Sequence, residues 1–385
     1  MAKHWTLHNP GATHRVIVTK SLPGQRWLEL LTDADCSVEV CDSDEILSAA
    51  EIRERFGARC DAAIGQLTED WSGELFADFA AAGGRAFSNY AVGYNNVDVA
   101  GATQAGIPVG NTPGVLTETT AEMAAALTLT AGRRAVEADR FMRDGKYHGW
   151  LPTMYMGKLF HGRTVGVVGC GRIGAAYARI MVEGFKMNLV YFDMRPNPEL
   201  EAFVRDYSEL LVAHGDAPVT VERAETLEDL LSRCEVVSLH TLLDDSTFHM
   251  IDRGHLELMR EDAILVNTSR GPVIDEQALV AHCREHPEFR AALDVFEQEP
   301  AMEPGLSELD NVVVVPHIAS ATTWTREGMA TLAAANIVAM LRGQPMWQDA
   351  DVKSFLEGKL PPYAPSIVNA AELDIPIWDP ISKAS

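Results

Sequence analysis

Apolar positions along this chain fall in short runs separated by polar and turn-forming residues. Val16-Ile17-Val18-Thr19 is a β-branched run followed by Pro23-Gly24, and a helical stretch begins over 28–31. Val38-Glu39-Val40 alternates as a strand, 46–56 has helical spacing, and 60–66 is strand-like again. This alternation predicts βαβ units and a parallel sheet from the start of the chain. Near residue 119 the texture changes. Residues 119–145 form one Ala-rich helical pattern with a break expected near Gly132, able to bridge two domains or supply a dimer surface. A loop rich in Tyr, Trp, Met and His spans 145–162, and a second βα series begins at Thr164. After His317 the pattern is helical over 322–341 and ends in a Pro-rich tail from Pro361. The expected organisation is an insertion: residues 119–321 form one domain, set within a second made from 1–118 and 322–385.

Thr164-Val165-Gly166-Val167-Val168 reads as a buried strand leading straight into Gly169-Cys170-Gly171-Arg172-Ile173-Gly174, after which 175–182 continue as a helix. The G-x-G-x-x-G pattern alone is also what ordinary turn glycines produce. Here it stands between strand and helix, where each glycine has a task. Gly169 allows the turn, Gly171 lets backbone N–H groups approach a pyrophosphate, and Gly174 lets helix pack on strand. A second half follows, since Asn188-Leu189-Val190-Tyr191-Phe192 is a strand ending at Asp193, 19 residues after Gly174. A carboxylate there accepts the ribose hydroxyls and repels a 2′-phosphate. The expected cofactor is therefore NAD, with NADH preferred and NADPH weaker. Arg195 is either an exposed loop arginine or a cation that accommodates such a phosphate. Cys170 is either a small packing residue or a thiol activated by the helix N-terminus and open to oxidation.

Three later strands each end in a reactive side chain. Ile264-Leu265-Val266 runs into Asn267-Thr268-Ser269-Arg270-Gly271, Ala291-Ala292-Leu293 into Asp294-Val295-Phe296-Glu297-Gln298-Glu299-Pro300, and 312–315 into Pro316-His317-Ile318-Ala319-Ser320. Singly these read as a surface Arg, a loop Glu and a capping His. At successive strand ends beyond a dinucleotide fingerprint they converge on one crevice, the usual ligand site of an open α/β sheet. Charge sharpens this. The chain carries 32 Lys and Arg against 55 Asp and Glu, a net −23. A field of that sign disfavours nucleic acid and anionic membrane surfaces as partners, and it obliges an anionic substrate to find a local cation. Arg270 meets that need: its guanidinium can take a substrate carboxylate and polarise a keto oxygen. His317 as imidazolium can donate a proton to that oxygen, with Glu299 orienting the ring and favouring its charged form.

The order NTSRG, DVFEQEP, PHIAS, with Glu299 29 residues after Arg270 and His317 18 after Glu299, resembles the D-isomer-specific 2-hydroxyacid dehydrogenase family. The segments 87–98 and 110–117 fit it as well. Within the family, GQLTEDW (65–71), EGFKMNLVYFD (183–193) and WTREGMATLAA (324–334) resemble plant-type hydroxypyruvate reductases. The resemblance implies an α/β fold of two Rossmann-like domains, the NAD-binding one inserted in a flavodoxin-like substrate domain. It implies NADH-dependent reduction of hydroxypyruvate to D-glycerate, and of glyoxylate to glycolate, in glycolate and glycerate metabolism of the photorespiratory kind. It places Arg172 and Ile173 at the pyrophosphate, His240 and Thr241 on the adenine side, and Thr268, Arg270, Asp294, His317 and Ser320 along the cofactor. Asp294 either fixes the carboxamide or caps its strand end. Ala91, Val92 and Gly93 are implied to hold the substrate carboxylate through backbone N–H groups, with a simple tight turn the alternative. A homodimer is implied too. In it Trp150 either reaches the partner's active site to limit substrate size or packs as an ordinary interface or loop tryptophan.

Two rival readings share this fold: an NAD-sensing corepressor without catalysis, and phosphoglycerate dehydrogenase. The first is disfavoured because no added interaction region is visible. The second would need a regulatory domain larger than the 40 residues after Pro345. Formate dehydrogenase, a further relative, would need a different polar set around its His. The six cysteines form no C-x-x-C pair or zinc pattern, so reduced thiols and no metal are expected. Location is read from the ends. Residues 1–28 carry no Asp or Glu, in the manner of a transit leader, but 15–20 already reads as a strand. The chain ends Ser382-Lys383-Ala384-Ser385 rather than Ser-Lys-Leu. A mitochondrial or peroxisomal location is expected, with the cytoplasm as alternative.

Overall fold

A computed structural model describes residues 3–347 and 351–378, and the chain divides into two compact units. Unit 1 comprises 1–116 with 321–385, and unit 2 comprises 117–320.

In unit 1 the main sheet has six strands, β1 (Trp5–His8), β2 (His14–Val18), β3 (Cys36–Cys41), β4 (Ala62–Gly65), β5 (Ala86–Asn89) and β6 (Val109–Gly110). Their order in the sheet is β1-β3-β2-β4-β5-β6, parallel throughout except for β1 against β3. β4 and β5 are buried along their whole length, and in β5 that burial takes in the polar Ser88 and Asn89. Trp71, Phe76, Phe79 and Phe87 pack on one face, with the Trp71 and Phe87 rings 4.2 Å apart. The helix Thr323–Leu341 is buried over almost its whole C-terminal two-thirds, so its alanines and Ile337 serve a core rather than a solvent face. Asn336 on that helix is fully buried but satisfied. Its amide donates to the Asn111 carbonyl at 2.9 Å and its oxygen accepts from the Ser366 N–H at 3.0 Å.

Unit 2 is a seven-stranded parallel sheet of β7 (Thr164–Val168), β8 (Asn188–Phe192), β9 (Val221–Arg223), β10 (Val236–Leu239), β11 (Ile264–Asn267), β12 (Arg290–Leu293) and β13 (Val312–Val314). The order is β13-β12-β11-β10-β7-β8-β9. The direction of winding reverses between β7 and β10, where Val168 pairs with Leu239. A ligand crevice is expected just beyond that pair. The chain at 117–143 forms two helices, Thr117–Gly132 and Ala135–Arg143, separated where Arg134 takes φ 55°. The first is buried through small residues such as Ala121, Ala124 and Ala125, and it packs on the helix Arg172–Phe185. The second has no buried residue, so any exposed arm is confined to the portion beyond residue 134. Glu137 ties this turn to the sheet by pairing with both Arg134 and Arg290.

Candidate active site

β7 hands the chain to Gly169, whose φ of 85° and whose tight approach to the His240 carbonyl (2.8 Å for an added Cβ) exclude a side chain. At Gly174 a Cβ would fall 2.0 Å from the Gly169 oxygen, so helix and turn can only close with glycine there. Gly171 differs: it caps the helix Arg172–Phe185, and nothing lies within 4 Å of where its Cβ would be. That open backbone at a helix N-terminus suits a pyrophosphate. Asp193 ends β8 and locks the turn, one oxygen accepting from the Cys170 N–H at 2.7 Å and the other from the Arg195 N–H at 3.0 Å. Arg195 itself is exposed. Two neighbours escaped sequence reasoning because their spacing carries no motif. Asn197 donates to the Cys170 carbonyl, and Arg223 from β9 clamps the carbonyls of Asp193 and Met194.

Cys170 is not the activated thiol that sequence reasoning allowed. The helix begins after it, at Arg172, and burial together with the Asp193 carboxylate pushes the thiol up to about 12. All six cysteines are buried and unpaired with one another. The position of His240 also differs in kind from the sequence picture. Its backbone lies against Gly169, but its ring turns inward, 5.1 Å from Tyr177 and 2.9 Å from the Ser238 hydroxyl. Burial pushes that imidazole down to about 3, so it is neutral. The hydroxyls of Thr241 and Thr268, by contrast, are buried with no hydrogen-bond partner within the protein. Thr241, whose backbone meets Gly169, and Thr268 beyond β11 thus leave orphaned hydroxyls at the strand ends, which fit a bound dinucleotide.

The three reactive strand ends come next. Beyond β11, Asn267 folds the loop on itself, accepting from the Ser269 N–H and hydroxyl and donating to the Arg270 carbonyl at 2.9 Å. Gly271 then passes so close to the backbone of Phe296 and Glu297 that an added Cβ would lie 1.9 Å away. Burial works against the Arg270 charge, and the Glu299 carboxylate is what opposes that effect. Beyond β12, Asp294 is fully buried, and its two oxygens accept from the N–H groups of Ile318 (2.6 Å) and Ala319 (2.8 Å). Its carboxylate therefore grips the turn after β13, in which His317 sits at φ 53°. That geometry is the strand-end cap, one of the two roles open from sequence. His317 Nδ1–H donates to Glu299 Oε2 at 2.9 Å, and Glu299 Oε1 accepts from the Phe296 N–H at 3.1 Å. Burial pushes the Glu299 carboxyl up, but the His317 bond and charge, the Phe296 N–H and Arg270 outweigh it and hold it below its ordinary value. Unit 2 thus assembles an arginine, an ionised glutamate and an oriented imidazole.

Ser320 is half-buried at the end of the same unit. In unit 1 the carbonyls of Ala91, Val92 and Gly93 accept from the Thr112 N–H and the side-chain amides of Asn111 and Asn89. Trp150 stands 77% exposed, and Leu151, Met156 and Leu159 of the same loop are exposed as well. Among the described residues no three His, Cys, Asp or Glu side chains cluster to hold a metal, and no helix is long and apolar enough to cross a membrane.

Residues 125–319 match the D-isomer specific 2-hydroxyacid dehydrogenase, NAD binding domain. The chain belongs to that family. Over nearly its full length the dehydrogenase is similar to the glycerate dehydrogenase of Cucumis sativus, with 57% identity covering 95% of this chain and 97% of the relative. It is also similar to the peroxisomal glycerate dehydrogenase HPR of Arabidopsis thaliana, at 56% identity over 96% and 97% of the two chains. Among solved structures, a protein of Thermus thermophilus shares 37% identity at TM-score 0.74, covering 86% of this dehydrogenase and 97% of that chain. An NADPH-dependent glyoxylate/hydroxypyruvate reductase of Sinorhizobium meliloti shares 29% at TM-score 0.70, covering 86% and 95%.

Proposed function

We propose that this dehydrogenase reduces hydroxypyruvate to D-glycerate and glyoxylate to glycolate, using NADH in preference to NADPH. The observation that carries the chemistry is the 2.9 Å bond from His317 Nδ1 to Glu299 beside Arg270. When bound, the reduced dinucleotide supplies the hydride, and the residues of this chain do the rest. Arg270 binds the 2-oxo acid's carboxylate and polarises its keto oxygen. Glu299 holds the imidazole with Nδ1 protonated, so that Nε2 delivers its proton to that oxygen as it gains charge. In alcohol oxidation His317 is neutral and takes the proton back. Asp294 places His317 from below by holding the two amides that follow it.

For the dinucleotide, Gly169, Gly171, Arg172, Ile173 and Gly174 are assigned to the pyrophosphate and Asp193 to the adenosine ribose. The His240 backbone and Thr241 take the adenine side, and Thr268, Arg270, Asp294, His317 and Ser320 the remainder. Asp193 would meet a 2′-phosphate with like charge, which supports NADH. The 91–93 loop, its carbonyls already engaged, is assigned substrate-carboxylate binding through its N–H groups. Exposed Trp150 and the other exposed apolar side chains of the 145–162 loop support a homodimer in which that loop limits substrate size. A mitochondrial or peroxisomal location belongs to the same reading; the relevant end, 382–385, lies outside the described residues. Microscopy of the tagged full chain checks it, and a cytoplasmic signal would refute it.

The test is NADH consumption with hydroxypyruvate, glyoxylate and pyruvate, comparing wild type with His317→Ala. Turnover of hydroxypyruvate that falls by about 10²–10⁴-fold in the variant supports both reaction and proton donor. NADH binding without turnover in the wild type would favour the sensor reading instead.

A further inference from the structure

A second imidazole–carboxylate pair lies beside the first. His249 Nε2–H donates to Glu297 Oε1 at 2.9 Å, two residues before Glu299. The other oxygen of Glu297 accepts from the Glu276 N–H, the first residue of the helix Glu276–Glu285, at 3.2 Å. His249 sits at φ 49°, a left-handed conformation rare for a residue with a side chain, and its ring stacks on Phe248 at 4.1 Å. Its own N–H donates to the Pro272 carbonyl at 2.8 Å, two residues past Arg270. One residue therefore holds both reactive loops, the Arg270 loop by its main chain and the Glu299 loop by its ring.

The Glu299 loop responds as a unit. The Phe296 N–H is closed onto the Glu299 carboxylate at 3.1 Å, and the Phe296–Glu297 backbone rests on Gly271 with no room for a Cβ. A shift at Glu297 thus displaces Glu299 and, through its 2.9 Å bond, the His317 ring. We propose that His249, acting through Glu297, is a positioning residue that sets the orientation of the Glu299–His317 pair. This rests on the reading of that pair as the proton-transfer machinery.

Because the main-chain bond to Pro272 survives any side-chain change, the effect should divide between steps. His249→Ala should lower kcat on the order of 10- to 100-fold, while the KM for the 2-oxo acid, set by Arg270, changes little. NADH affinity should not change. His249→Gln, whose amide N–H can still reach Glu297, should recover most of kcat. Glu297→Ala should match His249→Ala, and the double variant should be no worse than either alone.

The experiment is steady-state kinetics of these four variants on whichever 2-oxo acid the wild type reduces, with thermal unfolding alongside. A parallel measurement follows the His317 imidazole nitrogen resonances in histidine-labelled protein, assigned with His317→Ala. The proposal predicts the kcat loss, its recovery in Gln and displaced His317 resonances in His249→Ala. Unchanged kcat with lowered thermal stability would overturn it, as would equal losses in Ala and Gln or unmoved His317 resonances. If the wild type rejects hydroxypyruvate but reduces another 2-oxo acid, the substrate assignment falls and the kinetic split is still read. If it reduces none, the resonances alone decide the positioning role.

Discussion

The His240 ring lies between Tyr177 and Ser238, and burial holds it neutral down to about pH 3, against an ordinary value of 6.5. With its folded-state value depressed, the unfolded chain binds a proton that the folded chain refuses between those limits. Stability from this group is complete above 6.5 and declines as pH falls from there toward 3. Urea unfolding of wild type and His240→Gln, near neutrality and at mildly acid pH, should show the larger loss in the wild type. Equal losses would show that the ring is not the acid-sensitive group. The family resemblance put this histidine near the cofactor. The direction of its side chain depended on Tyr177 and Thr128, bonded to each other at 2.8 Å from two different helices. No local pattern announces such a pairing. Arg270, Glu299 and His317 were legible because each follows a short apolar strand, and strand ends converge in a parallel sheet.

At the level of elements, the glycine turn offers a paired test. Gly174→Ala forces a Cβ to 2.0 Å from the Gly169 oxygen and should destabilise the protein by about 1–3 kcal/mol. Gly171→Ala meets no protein atom within 4 Å and sits at φ −72°, so stability should be retained. If Gly171 forms the pyrophosphate cradle, that variant should nevertheless bind NADH more weakly. Thermal unfolding and fluorescence titration separate the two outcomes, and unchanged NADH affinity in Gly171→Ala would place the phosphates elsewhere. The strand–turn–helix unit was readable because its constraints are backbone constraints between near neighbours. The division of residues 117–143 was only partly so. A break near Gly132 was visible, but the burial of Thr117–Gly132 depends on small residues meeting Arg172–Phe185 some 40 residues later. The helix Pro198–Ala213 has no counterpart in the sequence reading, although it has an Asn197 cap and its buried Leu200, Val204 and Leu211 recur at helical spacing.

For the whole molecule, a net charge of −23 should slow the encounter with an anionic 2-oxo acid. Raising ionic strength from about 10 to about 150 mM contracts the Debye length to about 8 Å and screens that repulsion, while half-buried Arg270 is screened less. The kcat/KM for hydroxypyruvate should therefore rise over this range. A fall would mean that local attraction to exposed cations governs the encounter. The exposed Trp150 belongs to the same scale. Trp150→Ala should weaken self-association in sedimentation and relax discrimination against bulkier 2-oxo acids. A dimer of unchanged stability with unchanged selectivity would return Trp150 to a loop-packing role.

Composition, the fingerprint from Gly169 to Asp193 and the three strand ends, by themselves, determined the α/β class, the NAD-binding unit and the convergence of Arg270, Glu299 and His317. These follow from short, continuous apolar runs, from backbone angles open to glycine and from residue types suited to anion binding and proton transfer. Tertiary structure alone decided what each neighbour does: that Asp294 grips the turn carrying His317, that the His240 ring faces the core, that burial beside Asp193 pushes the Cys170 thiol up and that His249 and Glu297 join the Arg270 and Glu299 loops. Those outcomes depend on side chains from distant segments meeting in a desolvated interior. There a hydrogen bond or a lost water shell sets both orientation and charge, and neither is written in the spacing of residues along the chain.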